Sequence, residues 1–135
     1  MIIKPLDSEH FEDVTAIASY YVTDVFKLPR PGKGVGVFDD NGVLLAYIML
    51  FPEYSSTYSI PSLATRQGYE GRGIMRKLFN HLDKTLEHPT LWLEVHPDNL
   101  KAIKLYTSLG FTFTEGGATY ADGKTMLLGE RLCRN

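Results

Sequence analysis

Two stretches of this chain hold residues whose types and spacing could do chemistry. The first is Gly68-Tyr69-Glu70-Gly71-Arg72-Gly73-Ile74-Met75-Arg76, where a glycine-rich turn leads from an expected strand into an amphipathic helix. Glycines at 71 and 73 permit positive φ and a close approach of backbone to ligand. The first N–H groups of the helix have no internal partner, so the junction suits an anion such as phosphate. Arg72, Arg76 and Lys77 add local positive charge to a chain whose net charge is −2. A Walker loop needs GxxxxGK[ST], but Ile74-Met75 follow Gly73, and a dinucleotide fingerprint needs a third glycine where Arg76 stands. Both of those nucleotide loops fail.

The second stretch runs from Leu91 to Phe111 and reads as strand, turn and helix. Leu91 to Val95 is the apolar run of a strand buried on both faces, Pro97-Asp98 breaks it, Asp98 can cap the helix that follows, and Gly110 closes that helix. Glu94 is the one charge in the apolar run. An unpaired carboxylate there is costly and is a ready proton acceptor; the plain alternative is a side chain reaching solvent or a nearby lysine. Asn99, Ala102 and Tyr106 fall on one stripe of the helix. A phenol titrates at about 10 and is a proton donor at neutral pH; the plain alternative for Tyr106 is a core aromatic beside Leu105 and Leu109.

The elements that must position these residues follow from periodicity and turn chemistry. Met1 to Lys4 reads as a short strand, and Phe11, Val14, Ile17 and Tyr21 recur at helical spacing in one or two helices ending near Leu28. After the loop Pro29 to Gly34, Val35–Phe38 and Val43–Phe51 form a hairpin around Asp39-Asp40-Asn41-Gly42. Pro52 to Thr57 turns the chain into a strand over Tyr58–Thr65. Ile74, Met75, Leu78, Phe79, Leu82 and Leu86 make the apolar face of a helix that must stop before Pro89. Phe111–Glu115, a turn at Gly116-Gly117, and a last strand over Lys124–Leu128 after Asp122-Gly123 complete the chain.

In these residues the chain resembles a known family, the GNAT superfamily of N-acetyltransferases. The loop Tyr69-Glu70-Gly71-Arg72-Gly73-Ile74 and the block Leu93-Glu94-Val95, Asn99, Ala102, Leu105-Tyr106 and Gly110-Phe111 stand in the family's order and spacing, with the likeness clear over residues 58 to 128. The resemblance implies an α/β (α+β) fold, a mixed and mostly antiparallel central sheet of about six to seven strands flanked by about four helices. It implies acetyl-coenzyme A as co-substrate; no metal is expected, since no second His or Cys stands at metal-ligand spacing. Its pyrophosphate would rest on the backbone amides of Gly71, Arg72, Gly73, Ile74, Met75 and Arg76, its pantetheine arm would pair with the strand edge Leu63-Ala64-Thr65, and Asn99 would touch that arm. By the same resemblance Tyr106 is the general acid that protonates the departing thiolate. Members that acetylate protein amino termini carry a glutamate where Glu94 stands, which fits a base. Glu70 and Met75 depart from the family, which favours Gln or Arg and Gly or Ala at those places. The expected activity is N-acetyl transfer to a primary amine by direct attack in a ternary complex; a non-catalytic acyl-coenzyme A binding or sensing module is the alternative that Glu70 and Met75 favour.

Composition sets the outer bounds. At 135 residues, with 44% hydrophobic and 22% charged residues, the chain is expected to form a single globular domain over 1–135. A net charge of −2 gives no overall basic field, so nucleic acid is not an expected partner. Met1-Ile2-Ile3-Lys4-Pro5 lacks the apolar run of a signal peptide and no stretch has membrane-spanning length, so neither membrane nor export is expected and a cytoplasmic location is. Cys133 is the single cysteine, which excludes an internal disulfide and reads as a dispensable terminal thiol. His10 and His96 read as surface or turn residues without a second His or Cys at metal-ligand spacing. Tyr54, Tyr58 and Tyr120 could line an acceptor site or simply pack. The amine itself is left open among polyamine, amino acid, antibiotic and protein amino terminus, and a homodimer is left open too.

Overall fold

The computed structural model describes residues 1–21, 33–53, 56–86 and 89–133. Its centre is built from hairpins whose turns are written locally. Between β2 (Lys33–Phe38) and β3 (Leu44–Pro52) the Asp39 carboxylate accepts the N–H groups of Asn41 at 2.8 Å and Val43 at 2.9 Å. That Asx turn lets β3 return antiparallel to β2. With β1 (Ile2–Pro5), β4 (Thr57–Thr65), β5 (Thr90–Val95), β6 (Thr112–Thr119) and β7 (Thr125–Leu132) they form a seven-stranded sheet of order β1-β2-β3-β4-β5-β7-β6. Among the described strands every pairing is antiparallel except β4 with β5. The mixed, mostly antiparallel sheet agrees with the expected fold.

Three described helices cover the two faces. α1 (Phe11–Tyr21) buries Val14, Ile17 and Ala18 on Phe38, Leu44, Tyr47 and Met49. α2 (Ile74–Thr85) buries Ile74, Met75, Leu78, Phe79 and Leu82 on the opposite face, against Ala46, Ile48, Leu91 and Leu93. Full burial of one such side chain stabilises the fold by about 1.5–3 kcal/mol, so these spacings, rather than propensity, hold the helices in place. α3 (Leu100–Ser108) lies on the α2 face through Ala102, Ile103 and Tyr106. Arg131 of β7 ties this layer together: its guanidinium meets Asp83 of α2 twice at 2.8 Å, and its Nε donates to the Leu109 carbonyl at 2.6 Å.

β4 and β5 pair only over Thr57–Thr90, Tyr58–Leu91 and Ser59–Trp92. Just past that point β4 carries a bulge. Met49 faces Ser62 while Phe51 faces Ser59, so the extra residue falls at Ile60-Pro61. Pro61 has no N–H to offer a neighbour, and a bulge bends its strand. The two strands therefore diverge, while β5 stays paired with β7 along its whole length.

Several local expectations give way. β5 is buried on one face only: Leu91, Leu93 and Val95 are buried, Trp92 is half-buried and Glu94 is exposed, because no described helix covers its second face. Asn99, not Asp98, caps α3, its Oδ1 accepting the Ala102 N–H at 3.2 Å. Gly116-Gly117 is strand rather than turn. A Cβ on Gly116 would stand 2.7 Å from the Met126 methyl, so glycine there serves close strand approach, and the reversal falls at Ala121–Lys124 with Gly123 at φ 83°. Cys133 is no loose terminal thiol: it is buried in the core beside Pro89, whose carbonyl accepts its N–H at 2.9 Å. The helix expected to run on to Leu28 lies, after Tyr21, outside the described residues.

Candidate functional site

Beside the diverging edge of β4 lies a cleft of about 650 Å³, bordered by β4, the glycine loop, the start of α2 and α3. One wall is the edge of β4. Arg66 N–H donates to the Leu45 carbonyl at 2.7 Å, and Tyr47 faces Ala64. By antiparallel alternation the backbone groups of Ala64 then point to β3, and those of Leu63 and Thr65 point into the cleft. The Thr65 carbonyl is met there by the Tyr21 hydroxyl at 2.5 Å.

The floor is the start of α2. Gly73 is its N-cap at φ 75°, with no side-chain cap, and the first helical bond runs from Lys77 N–H to the Gly73 carbonyl at 3.1 Å. The N–H groups of Ile74, Met75 and Arg76 therefore have no intrahelical partner. Gly71 stands at φ 74°, and a Cβ on Gly71 or Gly73 would meet nothing within 4 Å. Glycine is there for backbone conformation, and the space in front of it is open. Bare N–H donors at a helix N-terminus behind open glycines suit a diphosphate.

Leu63, Ala64, Thr65, Gly71, Gly73, Ile74, Met75, Arg76, Asn99 and Tyr106 all border this one cleft, so the structure brings these predicted residues together. Arg72 is not on the wall; its guanidinium lies over the Tyr69 ring, 5.0 Å from the centroid. The Arg76 guanidinium is used within the protein, donating to the Ser108 carbonyl at 3.3 Å and so capping the C-terminal end of α3. What Arg76 can offer a ligand is its backbone N–H. Asn99 spends Oδ1 on its cap, which leaves the Nδ2 amide as a donor.

Tyr106 is half-buried, with its ring 5.8 Å from that of Phe111. Burial first, and the neighbouring Tyr47 second, push its phenol up to about 12. It is therefore fully protonated at neutral pH and able to donate. Glu94 is placed differently. It does not line the cleft, and it projects from β5 on the face opposite Leu93 and Val95, across from Leu128. It is exposed, where the apolar run implied a buried carboxylate. Tyr120 stands near it: burial, then Glu94, then Asp122, raise the Tyr120 phenol above its ordinary range. The Tyr120 ring lies 4.6 Å from that of His96, whose Nδ1 accepts the Asp98 N–H at 3.0 Å and whose Nε2 is 2.7 Å from Asp122. His96 thus clamps the β6–β7 turn to the end of β5. Tyr58 joins the core, and Tyr54 lies outside the described residues.

Sequence reasoning did not find Tyr21, Tyr69 and Lys101 on the cleft. Tyr69 and Lys101 adjoin recognised motif residues, which was a usable signal. Tyr21 arrives only through tertiary structure.

Comparison with known proteins agrees with this architecture. The model of the acetyltransferase (GNAT) family matches residues 3–111. The chain is 45% identical over 89 residues to the [ribosomal protein bS18]-alanine N-acetyltransferase of Escherichia coli strain K12, a match covering 64% of this chain and 53% of that protein. It thus spans about half the length of the curated relative. Among solved structures, the ribosomal-protein-S18-alanine N-acetyltransferase from Escherichia coli superposes with a TM-score of 0.67 at 19% identity, covering 99% of this chain and 94% of that one. An aminoglycoside 6'-N-acetyltransferase complexed with coenzyme A gives 0.77 at 15% identity, covering 100% and 98%. At those identities the superpositions speak for the fold alone. With the family's match spanning most of the chain, from β1 to the end of α3, this protein belongs to the acetyltransferase (GNAT) family.

Proposed function

We propose that this protein transfers an acetyl group from acetyl-coenzyme A to a primary amine, by direct attack of the amine on the thioester. The observation that carries this is the cleft: a strand edge, an uncapped helix N-terminus and a protonated tyrosine converge on one space. In the proposed roles, the N–H groups of Ile74, Met75 and Arg76, with the glycine backbone at 71 to 73, hold the diphosphate. The cleft-facing groups of Leu63 and Thr65 pair with the pantetheine arm, and Asn99 donates to it. When bound, the coenzyme supplies an activated acyl carbonyl and a thiolate leaving group. Tyr106 delivers a proton to that sulfur from the α2 face. Glu94, on the other face, takes the proton of the incoming ammonium directly or through a water. Holding amine and thioester in line supplies the remaining acceleration through proximity.

Glu94 and Tyr120, on the α1 face of the sheet, form an acidic and aromatic approach suited to a cationic amine. Together with the relatives named for alanine N-acetylation, this favours the α-amino group of a polypeptide as acceptor. A cytoplasmic setting goes with this function. No described helix is long and apolar enough to cross a membrane. The test is thiol release from acetyl-coenzyme A in the presence of a peptide with an amino-terminal alanine, a polyamine and an aminoglycoside, each in turn. Release with the peptide is expected; coenzyme binding with no release for any amine would leave the binding-module alternative standing.

A further inference from the structure

Glu70, a residue of the glycine loop with no part in the transfer chemistry, joins two helices. Its Oε1 lies 2.7 Å from the Tyr21 hydroxyl at the end of α1, and its Oε2 accepts from Lys101 Nζ of α3 at 2.9 Å. The Tyr21 hydroxyl also lies 2.5 Å from the Thr65 carbonyl, so one phenolic proton is shared between the loop carboxylate and the cleft-facing edge of β4. Tyr21, Thr65, Glu70 and Lys101 all border the cleft. A strap thus runs from α1 through Glu70 to α3 across the mouth in which Ile74, Met75 and Arg76 present their N–H groups. The hydrogen bonds from Tyr21 and Lys101 hold the Glu70 carboxyl below the usual carboxylate range, so it is an anion at neutral pH.

An anion of the protein's own, set at the edge of an anion site and paired with a nearby lysine, competes with any ligand of the same charge. The Lys101 side chain is 88% exposed, and this is its one ion pair among the described residues. We propose that Glu70 is a displaceable counter-ion: the coenzyme's diphosphate takes Lys101 over from Glu70, making Lys101 a coenzyme-binding residue. This rests on the placement of the diphosphate given under the proposed function. The alternative, that Glu70 and Lys101 merely fix the loop for the ligand, makes the opposite prediction for loss of the charge.

The test is calorimetric titration of the full chain with acetyl-coenzyme A at low and high salt, using wild type, Glu70→Gln and Lys101→Gln, with melting temperatures to show that each variant folds. Glutamine keeps an oxygen to accept from Tyr21 and loses only the charge. Glu70→Gln is expected to bind about three- to fivefold tighter and Lys101→Gln about three- to fivefold weaker, the range of an exposed ion pair, and both differences shrink at high salt. Weaker or unchanged binding by Glu70→Gln, or unchanged binding by Lys101→Gln, overturns the proposal while leaving the transfer function intact. Wild type that binds no acetyl-coenzyme A overturns both; wild type that binds it but acetylates nothing overturns only the transfer function.

Discussion

Ser59 and Trp92 are the last partners of the parallel pair β4–β5, and the bulge at Ile60-Pro61 begins one residue later. This adjacency makes the cleft. The edge of β4 that β5 would otherwise satisfy is left facing open space, opposite the N-terminus of α2. A ligand that completes the edge and carries an anion at one end satisfies both features at once.

If the diphosphate is held by backbone, Gly73→Val should damage coenzyme affinity more than Arg72→Ala. A β-branched side chain at φ 75° is strained and projects into the cleft, whereas the Arg72 side chain rests on Tyr69 and does not itself line the cleft. Calorimetry on folded variants should show a loss of tenfold or more (about 1.4 kcal/mol) for valine and less than about threefold for alanine. Equal or reversed losses would argue for side-chain recognition.

Tyr106→Phe should lower kcat by about 10²-fold with coenzyme affinity nearly unchanged, since the ring still packs by Phe111 and only the proton donor is lost. Because the wild-type phenol is pushed up to about 12, no loss of activity from Tyr106 deprotonation is expected below about pH 10. A kinetic group near pH 9 that vanishes in the phenylalanine variant would contradict this.

Most of the sheet and the two motif helices are legible in the sequence because their signals are local. The Asp39–Gly42 turn, the Ile74–Leu82 stripe and the loop at Gly71–Gly73 each lie within a dozen residues. What escapes is what depends on distant partners. Tyr21 and Glu70 meet across 49 residues and Lys101 and Glu70 across 31, so no periodicity announces the strap. Glu94 was expected to be costly in its strand, but exposure depends on which helices cover β5. Gly116-Gly117 carries a turn's composition yet stays in β6, because the reason for glycine there is Met126 on the neighbouring strand. Asn99 shows the same limit from another side: one residue serves as a helix cap and borders the cleft.

The Arg131–Asp83 pair should be structural. Its side chains are 10% and 16% exposed, and Asp83→Asn leaves a poorly solvated guanidinium against Phe79 and the Leu109 carbonyl. Denaturant unfolding should show a loss of about 3 kcal/mol. A loss under about 1 kcal/mol, the range of an exposed pair, would contradict that placement.

Stability should fall at alkaline pH for an identifiable reason. Burial pushes the Cys133 thiol up to about 11, and the Tyr106 phenol stands at about 12. Both exceed their unfolded values of about 8.5 and about 10, so the folded state holds these protons more tightly. Their contribution is complete below about pH 8 and is lost as pH rises through 11 and 12. Cys133→Ala should therefore flatten the decline in melting temperature between about pH 8.5 and 11, even if the variant starts lower. An unchanged slope would show that the thiol does not titrate with unfolding.

In the proposed reaction, amine and thioester meet between Glu94 on one face of the sheet and Tyr106 on the other. The most direct measurement is the pH–rate profile of Glu94→Gln against wild type, at saturating acetyl-coenzyme A, with an amino-terminal alanine peptide as acceptor. A base matters most where the amine is protonated, so the deficit should be largest near pH 6 and should shrink as pH approaches the α-amine's own value of about 8. A deficit constant across pH, or full activity in the glutamine variant, would contradict Glu94 as the base.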